Sequence, residues 1–223
     1  MDIKLFVQAM AKFALGVLAV VLLLFVPAGT WAYPNGWLLT AILFIPMFGA
    51  GLVLFFKQPE LLRRRLNMDE QEKEQKQVVG CSALLFLCGF VAAGLDFRFG
   101  WSVLPGWVTG CAAGLFLLAY ALYAEVLREN VWLSRTVCVQ VGQQVVDTGL
   151  YGVVRHPMYA ATVILFLSIP LVLGSWVAFL FFLGYPFLVA KRIRNEEQVL
   201  EAQLQGYAAY KQRVRFRLIP YIW

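Results

Sequence analysis

Charge is the scarcest property of this chain. Only 14% of its 223 residues are Asp, Glu, Lys or Arg and 61% are hydrophobic, whereas soluble domains carry about 25% charged and about 45–50% apolar residues. A water-soluble globular domain is thereby excluded, and a membrane protein is indicated. Histidine is nearly as rare, with His156 the single copy. The four cysteines, Cys81, Cys88, Cys111 and Cys138, form no C-x-x-C pair, and three of them fall inside apolar runs. One histidine and scattered thiols suggest neither a zinc site nor a disulfide framework. No G-x-G-x-x-G stands between a strand and a helix, which removes the soluble dinucleotide fingerprint. Internal repeats and low-complexity tracts are missing as well.

Apolar length is what the chain has instead. A helix crosses the ~30 Å hydrocarbon core with roughly 20 apolar residues. Six stretches reach or approach that length: residues 5–26, 37–56, 78–95, 104–124, 158–173 and 176–190. Only Lys12 interrupts the first, and no charged residue follows it until Lys57. The last two are shorter and parted only by Gly174-Ser175, so they read as a tight helical hairpin. The first is long for the apolar core of a cleavable signal and no small-x-small site follows it, so it is expected to stay in the mature protein. The expected fold is all-α: a polytopic membrane helix bundle of about six spans, forming one integral membrane domain over residues 1–223.

Lysine and arginine set an orientation. Of 19 such residues, six fall in 57–77, three in 125–157 and seven in 191–223, while 27–36 and 174–175 have none and 96–103 has one. Positive loops stay on the cytoplasmic side, so both termini are expected there, at the inner membrane if the source is bacterial. Trp31, Tyr33, Trp37, Trp101 and Trp107 gather around the opposite loops, where interfacial aromatics belong. The net charge of +6 then reflects topology beside anionic membrane lipids, not nucleic acid. The mixed-sign run at 68–77 reads as a solvated helix or loop joining the second and third spans.

Chemistry has room only in the cytoplasmic pieces. Because the last two spans run out and back, Arg155-His156-Pro157 and residues 191–197 should return to the same membrane face. Residues 191–217 carry Leu200, Leu204 and Tyr207 at i, i+4 and i+7, the spacing of an amphipathic helix on the cytoplasmic side. Arg192 and Glu196 stand four apart and share a helix face, which spacing alone also allows as a plain surface pair. Upstream, "VQVGQQVVDTGLYGVVRHP" sets Gly142, Gly149 and Gly152 among polar residues, which suits irregular backbone before a helix start. Two readings stand for Arg155-His156-Pro157. Either the first two anchor at the interface while Pro157 fills an early helix position, or the helix start offers amides to an anionic group.

The pieces together have a familiar order. "TGLYGVVRHPMY", a short apolar hairpin and then "RIRNEEQVLEAQLQGYAAYKQRVRFRLIPYI" resemble the isoprenylcysteine carboxyl methyltransferase family over about residues 130–223. "PELLRRRLN" at 59–67 resembles its bacterial members. The resemblance implies an integral membrane enzyme that moves a methyl group from S-adenosylmethionine to a lipophilic acceptor, such as a prenylated one, at the cytoplasmic face. Position by position it implies cofactor contacts at Gln140, Gln143, Gln144, Val145, Val146, Tyr151, His156, Pro157, Met158, Tyr159 and Glu196. It assigns Arg192 to orientation of the acceptor. The chain departs from the family at Gln143, where many members carry histidine, and its loop between Gln140 and Tyr151 is shorter than in eukaryotic relatives.

These residue types suit that chemistry. Methyl transfer from a sulfonium needs positioning more than acid–base groups. A glutamate accepts from ribose hydroxyls, and His156 with nearby free amides meets a carboxylate. An arginine orients a carboxylate through paired N–H donors. Three alternatives belong beside this one. A phospholipid N-methyltransferase would act on an amine headgroup that must first lose a proton. An NADPH-dependent sterol-type reductase shares a similar C-terminal pattern. A non-enzymatic transporter or assembly factor would want polar groups in mid-membrane, which the spans lack.

Overall fold

The structure, a computed structural model, describes residues 2–67, 70 and 72–223. Among these residues all regular elements are helical. In chain order they are α1 (Ile3–Ala28), α2 (Pro34–Lys57), α3 (Pro59–Leu66), α4 (Lys73–Phe99), α5 (Gly106–Glu129), a 3-10 turn at Gly149–Gly152, α6 (Pro157–Leu173), α7 (Trp176–Phe182), α8 (Tyr185–Gln203) and α9 (Tyr207–Arg213). Five segments, α1, α2, α4, α5 and the α7–α8 pair, are long and apolar enough to cross a membrane, and α6 is a shorter apolar helix of 17 residues. The expected all-α membrane bundle stands, with helix at each of the six apolar stretches. A backbone that satisfies its own hydrogen bonds within each span is what hydrocarbon demands.

The single charge inside the first span has a use. Lys12 donates to the Leu66 carbonyl at 2.5 Å, a carbonyl at the C-terminal end of α3 that no helical N–H reaches. Close approach decides how α4 crosses α1. A Cβ on Gly94 would lie 2.5 Å from the Leu24 carbonyl oxygen and 3.1 Å from the Ala28 nitrogen, so only glycine permits this backbone-to-backbone contact, as at many membrane helix crossings. Around it Leu24, Phe90, Phe116, Ile169 and Phe182 form the buried centre of the bundle. At the end away from the candidate site, the buried Asp96 carboxylate accepts from the Ser102 N–H at 2.7 Å and from the Ser102 and Ser175 hydroxyls. That ties α4 to the hairpin turn.

Four sequence expectations need correction. The stretch 176–190 is not one helix: Pro186 lacks an N–H and its ring opposes the Phe182 carbonyl four residues back, so the helix breaks at 183–184. No separate amphipathic helix covers 191–217, because nothing interrupts α8 before Gln203. The chain turns at Gly206 (φ +86°), and after α9 residues 214–217 are not helical. Tyr33 is not interfacial: it is 1% exposed, stacks on Phe97 and donates to the Leu173 carbonyl at 2.8 Å, capping α6. Trp31, Trp37, Trp101 and Trp107 are exposed as expected. Of the connector at 68–77, residues 68, 69 and 71 lie outside the described residues, and 73–77 are helical, one of the two forms expected, but as the first turn of α4 with Gln75 buried rather than solvated.

Candidate active site

Where α6 begins, α8 runs back alongside it, and the two are joined by a buried ionic hub. Glu197, 2% exposed, accepts from Arg155 Nε at 2.7 Å and Arg217 Nε at 2.9 Å, and its Oε1 lies 3.2 Å from His156 Nε2. Arg155 also donates to the Val214 and Arg215 carbonyls at 2.7 and 2.8 Å. The backbone follows: the N–H groups of Arg155 and His156 donate to the carbonyls of Phe216 and Arg217, both at 2.9 Å. Both side chains are buried, so the interface-anchor reading of Arg155-His156 does not hold. Pro157 does take the first helical position, as that reading had it.

Beside the hub lies a cavity of about 100 Å³. Gln143, Gln144, Val145, Val146, Tyr151, His156, Met158, Tyr159, Arg192 and Glu196 of the sequence-derived set line it together. Two do not. Gln140 turns away to brace the loop, donating to the Trp132 carbonyl at 2.6 Å, and Pro157 is buried in the start of α6. On the cavity wall one hydroxyl links the two residues of α8 singled out by spacing. Arg192 Nε donates to Tyr159 Oη at 2.7 Å, and Tyr159 in turn donates to Glu196 Oε2 at 2.6 Å. The guanidinium also lies 5.9 Å from the Tyr159 ring centroid, so charge–ring attraction reinforces the bond.

A second cavity, of about 450 Å³, opens between α4, α6 and α8. Val78, Val79, Phe86, Phe166, Leu188 and Val189 make most of its wall apolar, and Arg65, Arg135 and Arg192 stand on it. Burial, with the Arg65 and Arg192 guanidiniums beside it, lowers the Arg135 pKa from its ordinary value. Three cations thus face an apolar space. Ser134, Met158, Tyr159 and Arg192 line both cavities, so the two spaces meet at one wall.

The irregular loop 130–148 roofs the first cavity, and α3 holds it. Arg64 donates to the Val131 carbonyl at 3.0 Å and its guanidinium lies 5.6 Å from the Trp132 ring; Arg65 donates to the Ser134 carbonyl at 3.3 Å and to Tyr123. Glu70 accepts from the Val137 N–H at 3.2 Å, and Arg192 donates to the Arg135 carbonyl at 2.6 Å. Sequence reasoning missed Glu197, Asn130, Tyr207 and Tyr210 in or beside this site. The signal for Glu197 was present: two adjacent glutamates on a helix point about 100° apart, so Glu196 and Glu197 were bound to serve different neighbours. Asn130 holds Tyr151, donating to its hydroxyl at 3.0 Å, and the Tyr210 hydroxyl donates to the Tyr151 carbonyl at 2.8 Å.

Comparison with known proteins bears on the segment that carries these residues. Residues 111–202 match the profile of the isoprenylcysteine carboxyl methyltransferase (ICMT) family. The matched segment takes in α5 from Cys111, the roofing loop, all of α6 and α7, and α8 to within a residue of its end. The fold agrees: the solved structure of a eukaryotic intramembrane Ras methyltransferase, ICMT, covers 96% of this chain and 77% of that one, with a TM-score of 0.61 at 18% identity. A stretch of 91 residues is also 32% identical to the mouse Delta(14)-sterol reductase TM7SF2, spanning 40% of this chain but only 22% of that protein. The segment that matches the ICMT profile therefore also overlaps in kind with a sterol reductase stretch, and neither match covers half of this chain.

Proposed function

We propose that this chain transfers a methyl group from S-adenosylmethionine to a carboxylate at the head of a lipophilic acceptor, such as a prenylated cysteine, at the cytoplasmic face. The observation that carries the reading is the shared wall. A polar cavity bearing a carboxylate and an apolar cavity bearing three arginines meet at Tyr159 and Arg192. The first suits the cofactor: Glu196 accepts from ribose hydroxyls, Gln143 and Gln144 offer amides, and the buried Tyr207 hydroxyl has no partner among the described residues. When bound, S-adenosylmethionine supplies a methyl carbon already activated by its sulfonium. Arg192, held by Tyr159, turns the acceptor carboxylate toward that carbon, and the apolar cavity keeps the lipid chain of the acceptor out of water. Such positioning accounts for several kcal/mol of barrier lowering without a general base.

The same geometry weighs against the other acceptor and the other cofactor. A phospholipid ammonium would be driven off by Arg65, Arg135 and Arg192. The sterol-reductase likeness favours NADPH, but its 2′-phosphate calls for a free cation, whereas a carboxylate matches a ribose diol. Here Glu196 faces the cavity, Arg155 is committed to Glu197 and two carbonyls, and Arg192, the other arginine on its wall, is held by the Tyr159 hydroxyl and the Arg135 carbonyl beside that carboxylate. The test is methyl transfer by purified protein in lipid vesicles, using labelled S-adenosylmethionine with N-acetyl-farnesylcysteine or phosphatidylethanolamine as acceptor. Label in the carboxylate acceptor supports the proposal. Label only in phosphatidylethanolamine overturns the acceptor class, and label in neither overturns the reaction.

A further inference from the structure

We infer that the Tyr207 hydroxyl is a direct contact of whatever fills the polar cavity, a binding residue beyond the set assigned by resemblance. Tyr207 opens α9 and lines the cavity with its neighbours Leu204 and Tyr210. It is 4% exposed, and its hydroxyl oxygen is fully buried with no hydrogen-bond partner among the described residues. A buried hydroxyl in that condition costs stability, because its hydration is lost and nothing replaces it. The contrast with Tyr210, three residues on, is instructive. Its hydroxyl donates to the Tyr151 carbonyl at 2.8 Å and so holds the cavity roof. Burial, then the Glu197 and Glu196 carboxylates, push the Tyr207 phenol well above its usual pKa, which keeps the hydroxyl protonated as a donor. Tyr207 therefore weakens the empty protein and is repaid on binding, while Tyr210 strengthens it at all times.

This rests on the cofactor reading above, and the experiment separates the two. Binding of S-adenosylhomocysteine is measured by calorimetry for wild type, Tyr207→Phe and Tyr210→Phe, together with the melting temperature of each without ligand. Phenylalanine keeps the ring packed against Leu204 and Val214, so the fold survives. Tyr207→Phe should bind roughly three- to tenfold more weakly, the range one neutral hydrogen bond supplies, while its unliganded melting temperature is unchanged or higher. Tyr210→Phe should melt lower. A Tyr207→Phe variant that melts lower and binds as wild type makes the hydroxyl structural and overturns the inference alone. Wild type that fails to bind S-adenosylhomocysteine overturns the cofactor reading and this inference with it.

Discussion

Replacing Glu197 by glutamine removes the charge at the centre of the hub and nothing of its volume. Three donors now converge on the carboxylate: Arg155 Nε at 2.7 Å, Arg217 Nε at 2.9 Å and the His156 ring at 3.2 Å. Their fates differ. The Arg217 side chain is 29% exposed and turns to water, whereas that of Arg155 is 4% exposed and cannot. Breaking a buried ion pair costs about 3–5 kcal/mol. Arg155 keeps its two carbonyl acceptors, Val214 and Arg215, so the lower end, about 3 kcal/mol, applies. At roughly 2–4 °C per kcal/mol for a chain of this length, the melting temperature should fall by about 6–12 °C. Tryptophan fluorescence against temperature in detergent reads it. Glu196→Gln is the control: its amide oxygen still accepts from Tyr159, and less than about 1 kcal/mol is at stake. Equal melting of the two variants, or a Glu197→Gln shift below about 2 °C, would refute the hub argument.

Two further outcomes follow from the same geometry. Tyr159→Phe frees Arg192 Nε and Glu196 Oε2 at once; steady-state kinetics should show the acceptor KM rising about tenfold with S-adenosylhomocysteine affinity much less affected, and an unchanged KM would contradict the link. Gly94→Ala drives a methyl into the α1 backbone, an overpacking that costs about 1–3 kcal/mol and lowers the melting temperature without altering ligand affinity per folded molecule. A variant that melts as wild type would show that α1 and α4 are free to separate.

Much of the fold was legible because apolar length and charge placement are local. Each of the six apolar stretches became helix, and Gly174-Ser175 marked the hairpin turn. Where expectation failed, a local signal had been outweighed or a distant partner decided. Pro186 announced the break in the last span, but fifteen apolar residues in a row concealed it. Tyr33 sits among interfacial tryptophans in sequence, yet the α6 carbonyl it caps is 140 residues away. Motif order picked out ten residues that line one cavity, since α6 and α8 return to the same face. The apolar cavity was invisible for the opposite reason. It exists because α4, α6 and α8 converge, and no spacing within one helix encodes that convergence. Gln140 lies off the cavity lining because a loop's side-chain directions follow its hydrogen bonds, here to the Trp132 carbonyl.

Calorimetric binding of S-adenosylhomocysteine to wild type and Glu196→Ala, with NADPH as competitor, tests the central claim most directly. The account predicts binding by wild type, a loss of about tenfold or more in the variant as the ribose loses a charged acceptor, and indifference to NADPH. Tight NADPH binding with no affinity for S-adenosylhomocysteine, or equal binding by Glu196→Ala, would contradict it.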